Sequence, residues 1–548
     1  MASNVIVLES QPGIQRDGTT YDSKNYTSGQ WMRFYRGRPL KIGGYRLIDQ
    51  GNPIIVRTIF NYDNEAHPNS VDTYIGRYNS ISYNNFTLNG VALGEIDRTP
   101  VDFLTYSDIN NQWDLDIFIP VLEDVPAPPI VVAMVAPNAD DISNTIEGPI
   151  YWGQTIGPNA NDPLTQIFYD NAMPVLVSGG IVSASPILIA YGNGGGIRWS
   201  KPGEIEAWPD KNFQSISTTK IIKMVLARGS VTPVLLAWTL DSILSLTYTT
   251  ETVESLPVTT FTPVLIDNNI TVMSPNSIVG YANEFYWIGL KKFYFFNGLV
   301  RSLENNMNSQ FFFERINLTY RSKIFGEIIN SDTGAAEIWW FVPLDGAIEN
   351  NHAIIYNIDK KIWYDTPINR SAGYSSGIFP YPMLADNAPL DVPTRTGIIQ
   401  VYPIWMHEYG VDQVFDPPPI AKPTNISAIQ AFIGTHIYDF FESNPANNRA
   451  MRSRRIEPDI KMNGNMNLYV HERFFPSDSI ENGRVKISGP FTFNLNTQKI
   501  DVSLQGRLAN YIFESNEIGG TFEMGKTLLH YNVGDVRPSG SGLSGVSG

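Results

Sequence analysis

The chain reads as all-β: a β-propeller of about six or seven blades, with an N-terminal arm before it and a C-terminal β region after it. Three observations predict this. First, short strands rich in aromatic and β-branched residues recur along the sequence, separated by turn formers. The clearest unit is SIVGYANEFYWIGLKKFYFFNG, Ser277 to Gly298. In it NEFYWIG and KKFYFFNG flank Gly289-Leu290-Lys291, and Asn297-Gly298 closes the second strand. Second, similar units begin at 188, 235, 285, 337 and 397, in steps of 47, 50, 52 and 60, which is the spacing of propeller blades built from four short strands. Third, 44 Gly and 37 Pro, with few Ala-, Leu-, Glu- and Lys-rich runs, favour strands and turns over helices.

Taken in order, residues 1–50 are expected as the N-terminal arm. Its basic residues Arg33, Arg36, Arg38, Lys41 and Arg46 suit either an interface or a solvated face, with Gly37, Gly43 and Gly44 supplying turns. Residues 51–416 hold the propeller. The alternation in DTYIGRYNSISY, and in WDLDIFIP where Trp113, Leu115, Ile117 and Ile119 share a face, supplies its first blades. Residues 123–185 open with EDVPAPPI and continue through an Asn-, Asp- and Gly-rich segment, so they are expected as an insertion between blades. Residues 417–425, PPPIAKPTN, read as a Pro-rich linker.

The C-terminal β region spans 426–537. Its opening, NISAIQAFIGTHIYDFFES, fits helix or strand equally: Ile426, Ile429, Ile433, Ile437 and Phe440 have helical spacing, yet the residue types suit strands. Arg449, Arg452, Arg454 and Arg455 then form the densest basic cluster. They fit an acidic partner surface or a phosphate, or a loop neutralised by Glu442, Glu457 and Asp459. Residues 538–548 read as a flexible tail.

Composition narrows the function. A net charge of -15 argues against general nucleic-acid binding, which relies on a basic surface to release counterions. The chain has no Cys, so neither disulfides nor thiolate metal sites are available, and folding in a reducing cytoplasm is expected. No apolar run reaches the roughly 18 residues of a membrane span, and the first residues lack the basic start of a secretory signal.

Catalytic patterns are absent or broken. GTFEMGKT, Gly520 to Thr527, satisfies the G-x-x-x-x-G-K-[ST] expression, but Phe522 and Glu523 put bulk and negative charge inside the loop and a strand follows it. It reads as a turn between strands. His407-Glu408 begins H-E-x-x-H, yet position 411 is Val. Asp114 and Asp116 lie on one strand face, as carboxylates on solvated strands commonly do. No catalytic residue, metal or cofactor is expected, and the chain reads as not an enzyme.

Several strings together carry a family resemblance: PGIQRDG…YTSGQWMRFYRGRPLKIGGYR near the start, IRWSKPGEIEAW with Arg198, Trp199, Ser200, Pro202, Gly203 and Trp208, then FYWIGLKKFYFFNG, NSQFFFERIN, EIWWFVPLDG and AIIYNIDKKIWY. MHEYGVD, IEPDI, SGPFTFNLNTQKIDVSLQGR and GDVRP follow in the same order. This pattern resembles the nozzle or hub proteins of bacteriophage tails, a family associated with the packaged-DNA-stabilisation proteins of short-tailed phages. The resemblance implies a virion structural protein at the end of a short tail, folded in the host cytoplasm before assembly. It implies a homo-oligomeric ring of six copies around a channel for genome retention and ejection. The partners implied are tail adaptor proteins above the ring, tail fibres or spikes beside it, and double-stranded DNA passing without sequence readout.

On that reading, acidic channel walls would repel the phosphate backbone within a Debye length of about 8–10 Å. The clusters Arg33 to Arg46 and Arg449 to Arg455 would then lie at protein interfaces. An alternative of another class is a receptor- or glycan-binding β-propeller of a phage tail, with Trp199, Trp208, Trp339 and Trp340 as stacking platforms.

Overall fold

Aromatic strands with both faces apolar need a neighbour on each side, and a circle of radially arranged sheets supplies one. The computed structural model describes residues 4–536 apart from 102, 104–111, 123–124, 136–149, 168–178, 228–233, 254–255, 332–333, 396 and 441–448. Within them the chain forms a seven-bladed propeller. Blade 1 is Val56–Tyr62, Ser70–Arg77, Ser80–Thr87 and Ala92–Asp97; blade 2 is Trp113–Phe118, Ile130–Val135, Ile150–Gln154 and Thr165–Gln166. Blade 3 is Gly180–Ala184, Ile187–Tyr191, Gly196–Trp199 and Phe213–Ser215; blade 4 is Ile221–Ala227, Val234–Thr239, Ile243–Val253 and Leu256–Asp267. Blade 5 is Val279–Tyr281, Glu284–Ile288, Phe293–Phe296 and Val300–Leu303; blade 6 is Phe325–Asn330, Ala336–Val342, His352–Asn357 and Ile362–Pro367. Blade 7 takes Ala372–Tyr374, Met383–Ala385 and Ile404–His407, and its fourth strand is Tyr45–Asp49, from near the start of the chain.

The circle closes. The first strand of blade 7 packs beside the first strand of blade 1, and Ile59 and Phe86 share a cluster with Met383 and Met406. Blades 4 and 5 meet through Trp238 and Trp287, whose rings stand edge to face at 6.0 Å. Leu47, only 1% exposed, pairs with Trp405 in the closing strand.

The observed second strands explain the sequence period. They begin at Ile187, Val234, Glu284 and Ala336, as expected, but the unit at 397 is a different element. Gly397–Val401 pairs with Leu390–Thr394 in a separate hairpin inserted into blade 7. The real second strand starts at Met383, 47 residues after Ala336, so the step of 60 arises from this insertion.

Other expected boundaries shift as well. The stretch 123–185 is not a simple insertion, because it carries three strands of blade 2 and the first of blade 3. Ile130–Val135 is buried throughout, as its unbroken apolar run suggests. Residues 1–50 are not a separate arm. Asn4–Leu8 pairs with Thr527–Val536, Ser28–Gln30 with Ala431–Gly434, and Arg38–Lys41 with Thr521–Met524. Both ends of the chain therefore build one β domain of three sheets. The ambiguous segment after 425 is strand: Ile426–Ser427, Ala431–Gly434 and Tyr438–Asp439. The Pro-rich residues 417–425 loop between Gln413–Val414 and Ile426–Ser427, which pair with each other, so they turn the chain back on itself. The expected tail at 538–548 lies outside the described residues.

Asp114 and Asp116 are structural stitches between blades. Asp114 Oδ2 accepts from the Ile181 backbone N–H at 2.9 Å, and Asp116 Oδ2 accepts from that of Ser183 at 2.7 Å. Lys223 of blade 4 reaches Asp114 at 3.1 Å, so three first strands are tied together. Burial, opposed by the backbone donors, pushes the Asp116 carboxyl up to about 6. With its folded-state pKa raised, Asp116 favours the folded chain below the usual pKa of about 4 and loses that contribution as pH rises through 6. Asp116→Asn keeps an acceptor oxygen and removes the titration. The difference in thermal midpoint between wild type and variant should shift in favour of Asn between pH 4 and 6.5; a difference independent of pH would refute the assignment.

Candidate functional site

The β domain meets the propeller where blades 6 and 7 adjoin, and the junction is organised by one buried ion network. Met32–Tyr35 carries Arg33 inward, 2% exposed. Its guanidinium donates from Nη1 to Glu408 Oε2 at 2.6 Å and from Nη2 to Glu408 Oε1 at 2.8 Å, a two-pronged pair. Nη2 also donates to Glu337 Oε2 at 3.1 Å. Glu337 in turn accepts from Trp339 Nε1 at 3.0 Å and from the Tyr364 hydroxyl at 2.5 Å. Burial alone disfavours the guanidinium charge, but Glu337 and then Glu408 outweigh it and hold Arg33 protonated far above its usual range.

Around this network the rings interlock. Trp31 stands edge-on to Trp339 at 6.3 Å and Phe34 edge-on to Tyr364 at 5.5 Å. Beside it Arg370 Nε donates to His407 Nε2 at 3.0 Å, and Arg370 Nη1 to Asp386 at 2.9 Å. Burial, then the Arg370 charge, pushes His407 well below its ordinary value, so its neutral ring accepts the bond from Arg370 Nε. Arg16 binds Asp365 through two bonds of 3.1 and 3.0 Å. These paired charges have the character of a structural fastening, with no free nucleophile or base among them.

The expected interface residues therefore separate. Arg33, Lys41 and Arg46 are internal. Lys41 Nζ donates to the Gly520 carbonyl at 2.7 Å, and burial lowers its pKa to about 8, with Asp412 opposing. Arg46 donates to the carbonyls of Asp416 and Ile420 at 2.9 and 2.7 Å. Their partners lie hundreds of residues away, which made them look like surface charge. Arg36 and Arg38 are exposed; Arg36 lies over its neighbour Tyr35, and Arg38 reaches Glu523 at 3.7 Å.

The second basic cluster stays at the surface. On the strand Arg449–Glu457, Arg449, Arg452 and Arg454 are exposed and Arg455 is half-buried. Arg452, Arg454 and Arg455 line a cleft of about 840 Å³ with Lys486, His530 and Asp501. Arg455 approaches Asp501 at 3.5 Å, and Lys486 approaches Glu472 at 3.1 Å.

The four tryptophans considered as stacking platforms are core residues: Trp199, Trp208, Trp339 and Trp340 are 4%, 7%, 1% and 0% exposed. Trp340 Nε1 donates to the Ser277 carbonyl, joining two distant segments, and Trp208 Nε1 donates to that of Ile205 within its own turn. GTFEMGKT is a strand, Thr521–Met524, a turn, and the start of another strand with Thr527 fully buried. Its Lys526 pairs with Glu9 at 3.0 Å. Among the described residues no cluster of His, Asp and Glu is arranged to hold a metal ion, and no helix is long and apolar enough to cross a membrane.

The fold is thus that of an all-β propeller carrying a β domain, and its identified clusters are a buried fastening and a basic surface cleft. No family model matches the chain, and no curated protein does. Among solved structures it is similar to Raptor of Chaetomium thermophilum, at 9% identity and a TM-score of 0.39, covering 67% of this chain and 29% of Raptor. It is also similar to the AfRom2 CNH domain, at 10% identity and a TM-score of 0.30, covering 59% of this chain and 91% of that domain. Trypanosoma rangeli sialidase matches at 9% identity and a TM-score of 0.31, with 98% and 97% covered. These scores are too low to bear on function.

Proposed function

We propose that the chain is a non-enzymatic virion structural protein, the nozzle or hub subunit of a short phage tail, assembling as a ring of six around the DNA channel. The observation that supports this best is convergence. QWMRF, EIWWF, KKIWY and MHEYG, four of the strings that carry the resemblance, lie far apart in sequence yet supply Trp31, Arg33, Glu337, Trp339, Tyr364, His407 and Glu408 to one fastening. Strings shared for such a reason point to a shared two-part architecture, a propeller locked to a β domain, and not to shared chemistry. A subunit that carries load during genome ejection needs this rigidity between its parts.

In this reading the acidic chain keeps double-stranded DNA from adhering, and the exposed arginines meet acidic surfaces of a neighbouring copy or adaptor. Immunogold electron microscopy of intact particles tests it: label confined to the distal tail is expected, and label found only in lysate overturns it. Reversing charge at Arg452, Arg454 and Arg455 together should reduce incorporation into particles at least tenfold while leaving the thermal midpoint of the isolated chain within about 2 °C. Unchanged incorporation would remove the cleft from the interface.

A further inference from the structure

Of the eleven tryptophans, ten are buried and Trp152 is the exception. It lies on Ile150–Gln154 of blade 2 and lines a cleft of about 580 Å³ that opens between blades 2 and 3. One wall is Pro120, Pro128 and Pro129; the other is the turn Gly203–Ala207, with Ile205 packed below and Glu204 and Glu206 exposed.

The lining has a definite chemical character. The Trp152 indole N–H is itself turned away from solvent, so what the side chain shows is carbon. The prolines offer no N–H. Thr155 directs its hydroxyl to the Pro129 carbonyl. The cleft is therefore mainly apolar, with Gln154 the one amide side chain in its lining, and anionic at its edge. Glu204 reaches Lys201 only at 3.8 Å, with both side chains more than half exposed, a pairing of little strength. Glu206 has no basic partner among the described residues.

We propose that this cleft docks an extended peptide segment of a partner protein, seating a proline or aliphatic side chain against Trp152 and the proline wall. An adjacent Arg or Lys of that segment then meets Glu206 and Glu204. The charge at the edge selects this occupant: a neutral saccharide brings no counter-charge to Glu206 and adds none to the weak Glu204–Lys201 pair, whereas a guanidinium or ammonium does. The site stands independently of the ring reading, because it needs no second copy of the chain.

Fluorescence anisotropy with the full chain tests this. The probes are labelled hexapeptides containing Pro-Leu-Pro followed by Arg, and a matched set with Glu in place of Arg. Binding of the Arg set at least tenfold tighter than the Glu set is expected, and Trp152→Ala should abolish it. Glu204→Gln with Glu206→Gln, both at exposed positions, should weaken the Arg set at least fivefold and flatten its dependence on salt without changing the thermal midpoint. Equal affinity for the two sets, or binding indifferent to the double Gln variant, would overturn the proposal. So would retention on an oligosaccharide array that Trp152→Ala removes while neither peptide set binds.

Discussion

Arg33→Met is expected to destabilise the folded chain by about 3–5 kcal/mol, because it strands two buried carboxylates whose shared cation is gone. Methionine fills much of the arginine's volume, so the loss comes from charge and not from a cavity. The triple variant Arg33→Met, Glu337→Gln, Glu408→Gln removes both orphaned charges and should recover most of that loss. Denaturant unfolding followed by tryptophan fluorescence reads both, since Trp31 and Trp339 sit against the network. A single variant within about 1 kcal/mol of wild type, or a triple variant no better than the single, would show that the network does not hold the junction.

Leu47→Asp should have a comparable effect by a different route. Leu47 is buried in the strand that completes blade 7, opposite Trp405. A carboxylate there forfeits the leucine's burial and has no cation to meet, together on the order of 3–5 kcal/mol. The closing strand should detach first, and limited proteolysis should cut near residues 45–55 well before the remaining blades are attacked. Gln50→Asp, at the exposed position just beyond the strand, is the control and should leave the cleavage pattern unchanged. Uniform unfolding without early cleavage would mean that closure is not the weak point of the ring.

How much of this was legible in sequence depended on range. Glu284–Ile288 and Phe293–Phe296 declare themselves because strand alternation and an adjacent turn pair are local signals, readable within a dozen residues. The closing strand YRLID carries the same local pattern as any other strand, and nothing near it says that its partner lies at 404–407. Arg33 shows the same limit for charge. Its carboxylates stand 304 and 375 positions away, so a buried network looked like a basic surface run. Trp152 was passed over because indoles on alternating strands look alike until the neighbouring blade is in place, and for Trp152 alone it leaves the ring partly uncovered.

The pairing of Asn4–Leu8 with Thr527–Val536 also sets a timetable. Leu8 leaves the ribosome about 520 residues ahead of Thr527, and at roughly 5–20 residues per second that is a wait of about half a minute to nearly two minutes. Through that interval NVIVL is an unsatisfied apolar edge, and the blades behind it can form while the β domain cannot. A nascent chain that stops early therefore leaves its first strand without a partner, visible to proteases and chaperones. The β domain therefore closes only after Thr527–Val536 has been made, and a copy that stops before that strand cannot complete it.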